Sequence, residues 1–331
     1  MDSKFSDDMK MEILSRTSLK ALDTMRCTSQ EFQYLTYESY FLNLYKQRND
    51  IVSGFLLVNL RSGCEYINEF APSTNSHSLD LGFLPPNARI LASSEQGFMV
   101  FESPHRRYYK LISYHVCKPA TKQVVTLPNP KTKYLTNNVA MVVMGSKALH
   151  YKIIRLSEPK REKLDKPFTK YRYEIFDSRA WAWRLLDPVI LPSFVFLSNQ
   201  QPIITRGSIY MLLSNNEVLK FDAYSEKWTT ISSPIQILDC PFGTIRKLVK
   251  YKGKLSFTCE TQSRLSWEIW VLTSDESWEK LHVFDTREDV GRSSLEAIYD
   301  SDTRVMNDYS TLHSYRILTF RSDFEPAHFE G

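Results

Sequence analysis

A unit of strand, turn and strand recurs four times in this chain and restricts its fold more than any other feature. Each copy has an apolar strand, a polar turn and a second strand that opens on a large apolar residue. In every copy the opening residue comes seven positions after the end of the first strand. The four segments, which begin at positions 114, 173, 218 and 268, read YHVCKPATKQVVTLP, YEIFDSRAWAWRLLD, VLKFDAYSEKWTTIS and EIWVLTSDESWEKLH.

This constant register predicts β-hairpins in which the opening residue lies across from the preceding strand. The opening residues are Val124, Trp183, Trp228 and Trp278, which are separated by 59, 45 and 50 positions. A period near 40 to 50 residues with four strands per unit is typical of the blades of a β-propeller. We therefore predict an all-β, kelch-like propeller of roughly six blades, within a range of five to seven. A large β-sandwich with coincidental hairpins is the competing interpretation.

The first 48 residues show helical patterns instead of strand patterns. Ser18 is placed to cap one short helix, and Thr28 begins a sequence that has the form of a capping box for the next. Each predicted helix is shorter than the roughly 12 to 15 residues that a helix needs to persist alone in water. We predict a small all-α helical cluster over residues 1–48, followed by the propeller over residues 49–331.

So small a cluster rarely supplies more than about 3 to 5 kcal/mol of stability from its own core. The sequence has no disulfide or metal pattern there that would hold it together. Leu19, Leu22 and Met25 therefore have too little protein of their own to cover them. We expect a second protein chain to complete this core.

Composition indicates the class of protein. The 42 basic and 38 acidic residues are interleaved and leave a net charge of only +4, so nucleic-acid binding is not implied. The five cysteines are far apart, odd in number and without a C-x-x-C motif, which favours reduced thiols. Neither a signal-peptide pattern nor a run of 18 apolar residues occurs. We expect a soluble protein of the cytoplasm and/or nucleus, without membrane association.

No sequence motif indicates an enzyme. The seven histidines are scattered without metal-ligand spacing, and the common nucleotide-binding and nucleophile motifs are absent. We therefore expect no catalytic residue, no metal and no cofactor. Because residues that are distant in sequence can meet in space, a propeller enzyme is kept as an alternative.

The tryptophans divide into two groups. Trp183, Trp228 and Trp278 share the hairpin register, which predicts that they belong to the cores of the blades. Trp181 and Trp267 fall outside that register. We expect these two to be surface anchors for a target, because aromatic side chains are enriched among residues that dominate binding.

Two parts of the sequence together resemble the plant F-box proteins that carry an F-box-associated, kelch-like β-propeller. The head matches the F-box pattern through DDMKMEILSRTSLKALDTMRCTSQEFQYLT, with its acidic pair, E-I-L-S-R, L-K-x-L and R-C-x-S segments. The later part matches through VCKPATKQVVTLPNP, VLKFDAYSEKW, KLVKYKGKLSFTCE and EIWVL. The resemblance covers the chain from residue 5 to about residue 284.

The resemblance implies a substrate-recognition subunit of a Skp-cullin-F-box ubiquitin ligase. Its F-box would bind a Skp-family adaptor and through it a cullin, and its propeller would bind an unknown target protein for ubiquitination. The chain would have no catalytic role of its own. The positions that match the adaptor-binding residues of the family are Phe5, Ile13, Leu14, Leu19, Leu22, Met25 and Phe32.

Two departures from the family pattern favour an alternative. Phe5-Ser6 stands where the family usually has Leu-Pro, and Phe32 stands where it commonly has Trp. The alternative is a degenerate F-box protein whose propeller binds a protein or a glycan independently of any ligase.

Overall fold

The structure, a computed structural model, divides into a helical segment and a long run of antiparallel strands. It describes residues 6–36, 38–61, 65–73, 76–105, 108–145, 149–158, 168–234, 246–260, 266–285, 293–299, 303–308, 315–324, 327 and 329. The helices are α1 (Asp7–Leu14), α2 (Leu19–Thr28), α3 (Gln30–Thr36) and α4 (Ser39–Arg48). Among the described helices, none combines the length and apolar character that crossing a bilayer requires.

Serine side chains cap the beginnings of α1, α2 and α3. Ser18 caps α2 as predicted, and its hydroxyl accepts a hydrogen bond from the backbone N–H of Ala21 at 3.3 Å. The capping box predicted at Thr28 is wrong, because this residue ends α2. The hydroxyl of the next residue, Ser29, accepts a hydrogen bond from the N–H of Phe32 at 3.3 Å instead.

The strands begin directly after the helical cluster. The first eleven are β1 (Ile51–Arg61), β2 (Glu65–Pro72), β3 (Arg89–Ser93), β4 (Met99–His105), β5 (Tyr108–Lys118), β6 (Gln123–Thr126), β7 (Leu135–Gly145), β8 (His150–Glu158), β9 (Phe168–Asp177), β10 (Ala182–Leu185) and β11 (Val189–Pro192). The others are β12 (Ile203–Thr205), β13 (Ser208–Leu212), β14 (Val218–Asp222), β15 (Lys227–Ile231), β16 (Arg246–Tyr251), β17 (Lys254–Glu260), β18 (Ser266–Leu272), β19 (Trp278–Asp285), β20 (Ser293–Tyr299), β21 (Thr303–Asp308) and β22 (Tyr315–Asp323).

Within the described residues, these strands form six sheets. Their strand orders are β2-β1-β22, β3-β4-β5-β6, β7-β8-β9-β10 with β11 on β9, β12-β13-β14-β15, β16-β17-β18-β19, and β20-β21. One edge strand of each sheet adjoins the corresponding strand of the next, in the order β22, β3, β7, β12, β16, β20 and back to β22. The sheets therefore surround a central axis as a β-propeller, which confirms the predicted all-β fold. Among the described residues, five sheets have three or more strands and form five blades. This is one fewer than the roughly six predicted and lies at the lower end of the predicted range. The sheet β20-β21 has two described strands and completes the ring between β16 and β22.

The ring closes by pairing the beginning of the propeller with its end. Strand β1 lies beside β22 in antiparallel register, from the pair Ile51 and Asp323 to the pair Asn59 and Tyr315. The chain beyond β22 continues onto the neighbouring blade, where Gln123 exchanges two side-chain hydrogen bonds with the backbone of Ala327 at 2.7 and 3.0 Å. The first and last strands of the propeller thus belong to one sheet.

The predicted hairpin register is present in three of the four repeats. Val124, Trp183 and Trp228 lie directly opposite Cys117, Phe176 and Phe221, the residues seven positions earlier with which the register pairs them. Each of the three preceding strands extends one residue further. The fourth repeat is shifted by one position, because Trp278 pairs with Leu272. Its turn, residues 273–277, closes one residue later through a hydrogen bond from the N–H of Thr273 to the carbonyl of Ser277 at 2.9 Å.

Two of the repeated tryptophans connect neighbouring blades. The indole N–H of Trp183 donates to the carbonyl of Pro128 at 2.8 Å, and that of Trp278 donates to the carbonyl of Ser232 at 2.7 Å. Both carbonyls follow the outermost strand of the preceding blade. A tryptophan at the beginning of the outermost strand region therefore contributes to the contact between blades as well as to the packing within its hairpin.

We expect Gly97→Ala to destabilise the closed ring. Gly97 has a φ of +82°, and a β-carbon there would lie 2.2 Å from the hydroxyl oxygen of Ser322 on β22. The combined strain and clash should lower the free energy of unfolding by about 1 to 3 kcal/mol, measured by urea denaturation. The matched control is Gly82→Ala, where φ is ordinary and the nearest atom, at 3.0 Å, belongs to the Asp80 side chain. Equal losses in both variants would contradict the proposed contact.

Candidate functional site

The helical cluster has an apolar core of its own. Leu14, Leu19 and Leu22 are at most 3% exposed and pack with Phe41, Tyr45 and Ile51. Helix α4 and the first strand thus cover the side chains for which the sequence predicted a second chain. That expectation is corrected, because a core was available within this chain.

The residues predicted to bind an adaptor therefore occupy different environments. Leu14, Leu19 and Leu22 lie inside the cluster, and Met25 and Phe32 are partly buried against it. Ile13 is 54% exposed. Phe5 lies outside the described residues.

Helix α1 presents an exposed apolar pair to solvent. Met9 and Ile13 are 50% and 54% exposed and lie one turn apart on the same face of the helix. Ser6, which stands where the family pattern has Pro, caps this helix, and its hydroxyl accepts a hydrogen bond from the N–H of Met9 at 3.3 Å. The departure from the family pattern at this position is thus compatible with a well-formed α1.

The helical cluster is held against one end of the propeller. Lys252, in the turn between β16 and β17, lies 3.4 Å from a carboxylate oxygen of Glu38. The same ammonium group lies 6.0 Å from the ring centroid of Tyr34, within the range of a cation–π contact. Both partners of Lys252 belong to the helical cluster, so this turn links the two parts of the protein.

A channel of about 830 Å³ runs between the innermost strands of the propeller. All six innermost strands or the segments next to them contribute to its wall, and residues 26 and 28–30 of the helical cluster complete it at one end. That end also contains the tight turns at residues 94–97, 206–207 and 252–253. The helical cluster therefore lies at the mouth of the channel that these turns form.

An ion pair lies at this mouth. A carboxylate oxygen of Glu95 lies 2.6 Å from the ammonium group of Lys250, which also donates to the carbonyl of Ile204 at 3.1 Å. Burial by itself would raise the pKa of Glu95, but surrounding positive charges, first that of Lys250, outweigh it and lower the pKa to about 2. Arg321 and Arg26 add to this effect. The Glu95 carboxylate lines the channel, and 40% of its side chain is exposed.

Arg26 connects this electrostatic site to the helical cluster. It is 7% exposed and donates two hydrogen bonds to Thr36, one to its hydroxyl at 2.9 Å and one to its carbonyl at 2.7 Å. These bonds hold the guanidinium between α2 and the end of α3. The positive charge that acts on Glu95 from the cluster is therefore fixed in position.

The two tryptophans predicted as surface anchors do not share a surface. Trp267 is 1% exposed within β18 and belongs to the core of its blade, which corrects its predicted exposure. Alternation along β18 explains this, because Trp267, Ile269 and Val271 all point to the buried face. Trp181 is partly buried and packs edge-on against Phe176, with ring centroids 5.4 Å apart.

No cluster of three or more His, Cys, Asp or Glu side chains suited to a metal ion occurs in the described part of the chain. Burial raises the pKa of the Cys117 thiol well above its ordinary value. This thiol packs as an apolar group in the core between β1, β3 and β22.

Comparison with known proteins identifies the family. A model of the F-box associated beta propeller domain matches residues 67–302, which is more than two thirds of the chain. The chain belongs to this family. The predicted resemblance to plant F-box proteins with an F-box-associated propeller is confirmed.

Two relatives from Arabidopsis thaliana illustrate the similarity. The F-box protein At5g41720 is 29% identical over 167 residues, which cover 48% of this chain and 89% of that protein. The F-box protein At5g49610 is 25% identical over 242 residues, which cover 70% of this chain and 65% of that protein. A family 117 glycoside hydrolase from Zobellia galactanivorans aligns with a TM-score of 0.33 at 11% identity over 82% of this chain and 84% of that chain, which is too remote to support a conclusion.

Sequence reasoning missed the residues that link the cluster to the propeller. Glu95, Lys250 and Lys252 lie in or beside turns that join strands, where charged residues are common and carry no periodic signal. Lys252 contacts Glu38 of the helical cluster, which is more than 200 positions away in the sequence. Arg26 of the cluster, which acts on Glu95, is about 70 positions away from it. Only the closed ring brings these groups to one end of the molecule.

We expect Glu95→Gln to reduce the loss of stability in acid. Because the pKa of Glu95 is lowered to about 2 from 4.5, the carboxylate contributes stability above about pH 4.5 and loses that contribution as the pH falls toward 2. The melting temperature of the variant should therefore fall less than that of the wild type between pH 5 and pH 3. Glu65→Gln, which removes an exposed carboxylate on β2, is the control and should follow the wild type. Identical pH profiles for all three proteins would show that Glu95 has no such role.

Proposed function

We propose that this protein is the substrate receptor of a Skp-cullin-F-box ubiquitin ligase. Its helical cluster binds a Skp-family adaptor and through it a cullin, and its propeller binds the target protein that is ubiquitinated. The observation that carries this proposal is the combination of a four-helix N-terminal cluster with a propeller of the F-box-associated family. The chain acts as an adaptor without catalytic residues of its own, in the cytoplasm or nucleus.

Helix α1 provides the accessible apolar surface for the adaptor. Met9 and Ile13 are each at least half exposed, whereas Leu14, Leu19 and Leu22 support the cluster from within. If an adaptor buried both side chains fully, each would contribute roughly 1.5 to 3 kcal/mol to the free energy of binding. The buried residues of the predicted set contribute indirectly, because they hold α1 in place.

The contact at Lys252 supports the receptor role. A substrate receptor must hold its target at a defined position relative to the adaptor. Here the helical cluster lies against the propeller through Lys252, Glu38 and Tyr34. The rim and the opposite end of the propeller remain for the target, because the cluster occupies this end.

We expect Ile13→Asp to weaken adaptor binding at least about 30-fold while the protein stays folded. The change puts a charge into an apolar contact, and Ile13 is exposed enough for the cluster core to tolerate it. The dissociation constant for a purified plant Skp protein would be measured by calorimetry, with circular dichroism as the check on folding. Ile190→Asp, on the propeller strand β11, is the matched control at 60% exposure and should bind like the wild type.

The alternative function, ligase-independent binding of a protein or glycan, gives a different result. Phe32 is a specific observation in its favour. This residue stands where the family pattern commonly has Trp, and it is partly buried because it packs onto the cluster core, so less of it is available to an adaptor. A folded protein that forms no complex with Skp adaptors at micromolar concentration would contradict the receptor proposal. Targets captured by the full chain without any adaptor would then support the alternative.

A further inference from the structure

We propose that an apolar patch at the propeller end opposite the helical cluster binds a short segment of the target protein. This segment carries acidic side chains beside large apolar ones. The patch consists of Tyr134, Leu135, Phe194 and Phe196, which are 37%, 77%, 89% and 55% exposed. The proposal deepens the receptor function and rests on it for the role of the partner as a target, but the binding itself is measured without an adaptor.

Phe194 and Phe196 lie at the end of the propeller away from the cluster. Strand β13 begins next to the turn at residues 206–207, which belongs to the cluster end, so its last residues lie at the opposite end. There the N–H of Phe196 donates to the hydroxyl of Ser214 at 3.1 Å, and the N–H of Ser214 donates to the carbonyl of Phe196 at 2.9 Å. Residues 198–199 line the central channel. The two phenylalanines therefore stand beside the end of the channel that is farthest from the cluster.

Tyr134 and Leu135 lie at the same end, where β7 begins. The ammonium group of Lys152, near the start of β8, donates to the carbonyl of Ala223 at 2.9 Å, and the N–H of Ala223 donates to the carbonyl of Gly207 at 3.0 Å. The start of β8 is therefore at the cluster end, and β7, its antiparallel neighbour, begins at the opposite end. Strand β7 also contacts β13, so the two parts of the patch belong to adjacent blades.

The backbone at Phe194 indicates that this side chain is displayed for contact. The N–H of Val195 donates to the carbonyl of Pro192 at 3.1 Å, which makes Phe194 the third residue of a turn. Its φ is +63°, a left-handed conformation that Gly or Asn adopts most readily. Val195 and Leu197 point into the blade core, whereas the ring of Phe194 is left in solvent. The chain thus retains an aromatic ring where neither backbone preference nor core packing favours one.

Two lysines flank the apolar patch. Lys131 and Lys133 are exposed, and neither ammonium group forms an ion pair within the described part of the chain. Thr132 between them points inward, because its N–H and its hydroxyl donate to the carboxylate of Glu174 at 2.9 and 2.8 Å. This alternation directs both lysines to solvent beside the start of β7.

The turn after β13 contributes charges of both signs. The carboxylate of Glu217 accepts a hydrogen bond from the amide of Asn215 at 2.7 Å, and the guanidinium of Arg246 donates to Asn216 of the same turn at 3.0 Å. Among the described residues, the two lysines therefore leave a positive surplus around the patch. Complementary charges steer and select binding partners, so the partner segment is acidic.

The size of the patch favours a short segment over a second copy of this chain. From the exposed fractions, its four side chains present roughly 400 Å² of surface. A stable dimer buries roughly 800 Å² on each partner, about twice this area. Exposed apolar patches of roughly 300 to 600 Å² on monomers are often functional. A peptide with a large apolar side chain on the patch and acidic side chains toward the two lysines matches both the area and the charge.

Selection from a phage-displayed library of random peptides of about 12 residues, on the immobilised full chain, tests the patch. We expect enriched peptides that combine Asp or Glu with Phe, Leu, Ile or Trp. Synthetic copies labelled with fluorescein should bind at one site per chain in fluorescence anisotropy. Because charge contributes to the contact, this binding should weaken as salt is raised.

Phe194→Asn separates binding from folding. Asn tolerates the left-handed conformation better than Phe, so the melting temperature should not fall, while peptide binding should weaken at least about 10-fold. Lys133→Glu should weaken binding about 3-fold to 10-fold, because it opposes the acidic side chains. The matched controls at the cluster end are Tyr224→Asn, at a 64% exposed aromatic residue, and Lys254→Glu, at an exposed lysine. Both controls should bind like the wild type.

Failure of this site and failure of the receptor function give different results. Ile13→Asp, which disrupts the adaptor surface, should bind the peptides like the wild type. A wild type that binds them but no Skp adaptor would contradict the receptor function and leave the peptide site in place. Leu135→Ser decides the outcome if Phe194→Asn does not fold.

Three results would overturn the proposal. The first is that no peptide is enriched, or that the enriched peptides are basic. The second is that Phe194→Asn binds them as tightly as the wild type does. The third is a dimer in sedimentation velocity that Phe194→Asn dissociates, because the occupant would then be a second copy of this chain.

Discussion

The pairing of β1 with β22 is the interaction on which the rest of this structure depends. A propeller blade contacts only its two neighbours, so a ring that stays open leaves two blade faces in water. Here the first and last strands share nine paired positions, and Gln123 fixes the chain beyond them through the backbone of Ala327. The channel, the orientation of the helical cluster and the contacts at Lys252 all require this closed ring.

The closed ring gives the protein two distinct ends. The helical cluster lies at the end that carries the tight turns beside Glu95 and Lys252, and its own apolar core is internal. The contacts of Lys252 with Glu38 and Tyr34 at this end, together with the packing of Ile51 of β1 into the cluster core, hold the cluster against the propeller. A target bound at the opposite end or the rim would be held at a fixed distance from an adaptor on α1, as a substrate receptor requires.

Several features could be predicted from particular residues. The seven-residue register placed Trp183 across from Phe176 and Trp228 across from Phe221, because a hairpin turn fixes which residues face each other. It could not reveal that Trp183 also bonds to Pro128 of the preceding blade, since that contact joins separate repeats. The burial of Trp267 could have been predicted from the alternation of apolar residues along β18, where Trp267, Ile269 and Val271 share the buried face. The hairpin register did not include this alternation.

The sequence by itself determined the local elements of this protein: the short helices, the hairpins and the family of plant F-box proteins with an associated propeller. These follow from periodicity, turn residues and motifs that act over a few neighbouring positions. The tertiary structure alone decided that Leu19 and Leu22 are covered by α4, and that six inner strands surround one central channel. Such arrangements depend on which distant segments share a surface, and long-range packing leaves no regular spacing in the sequence.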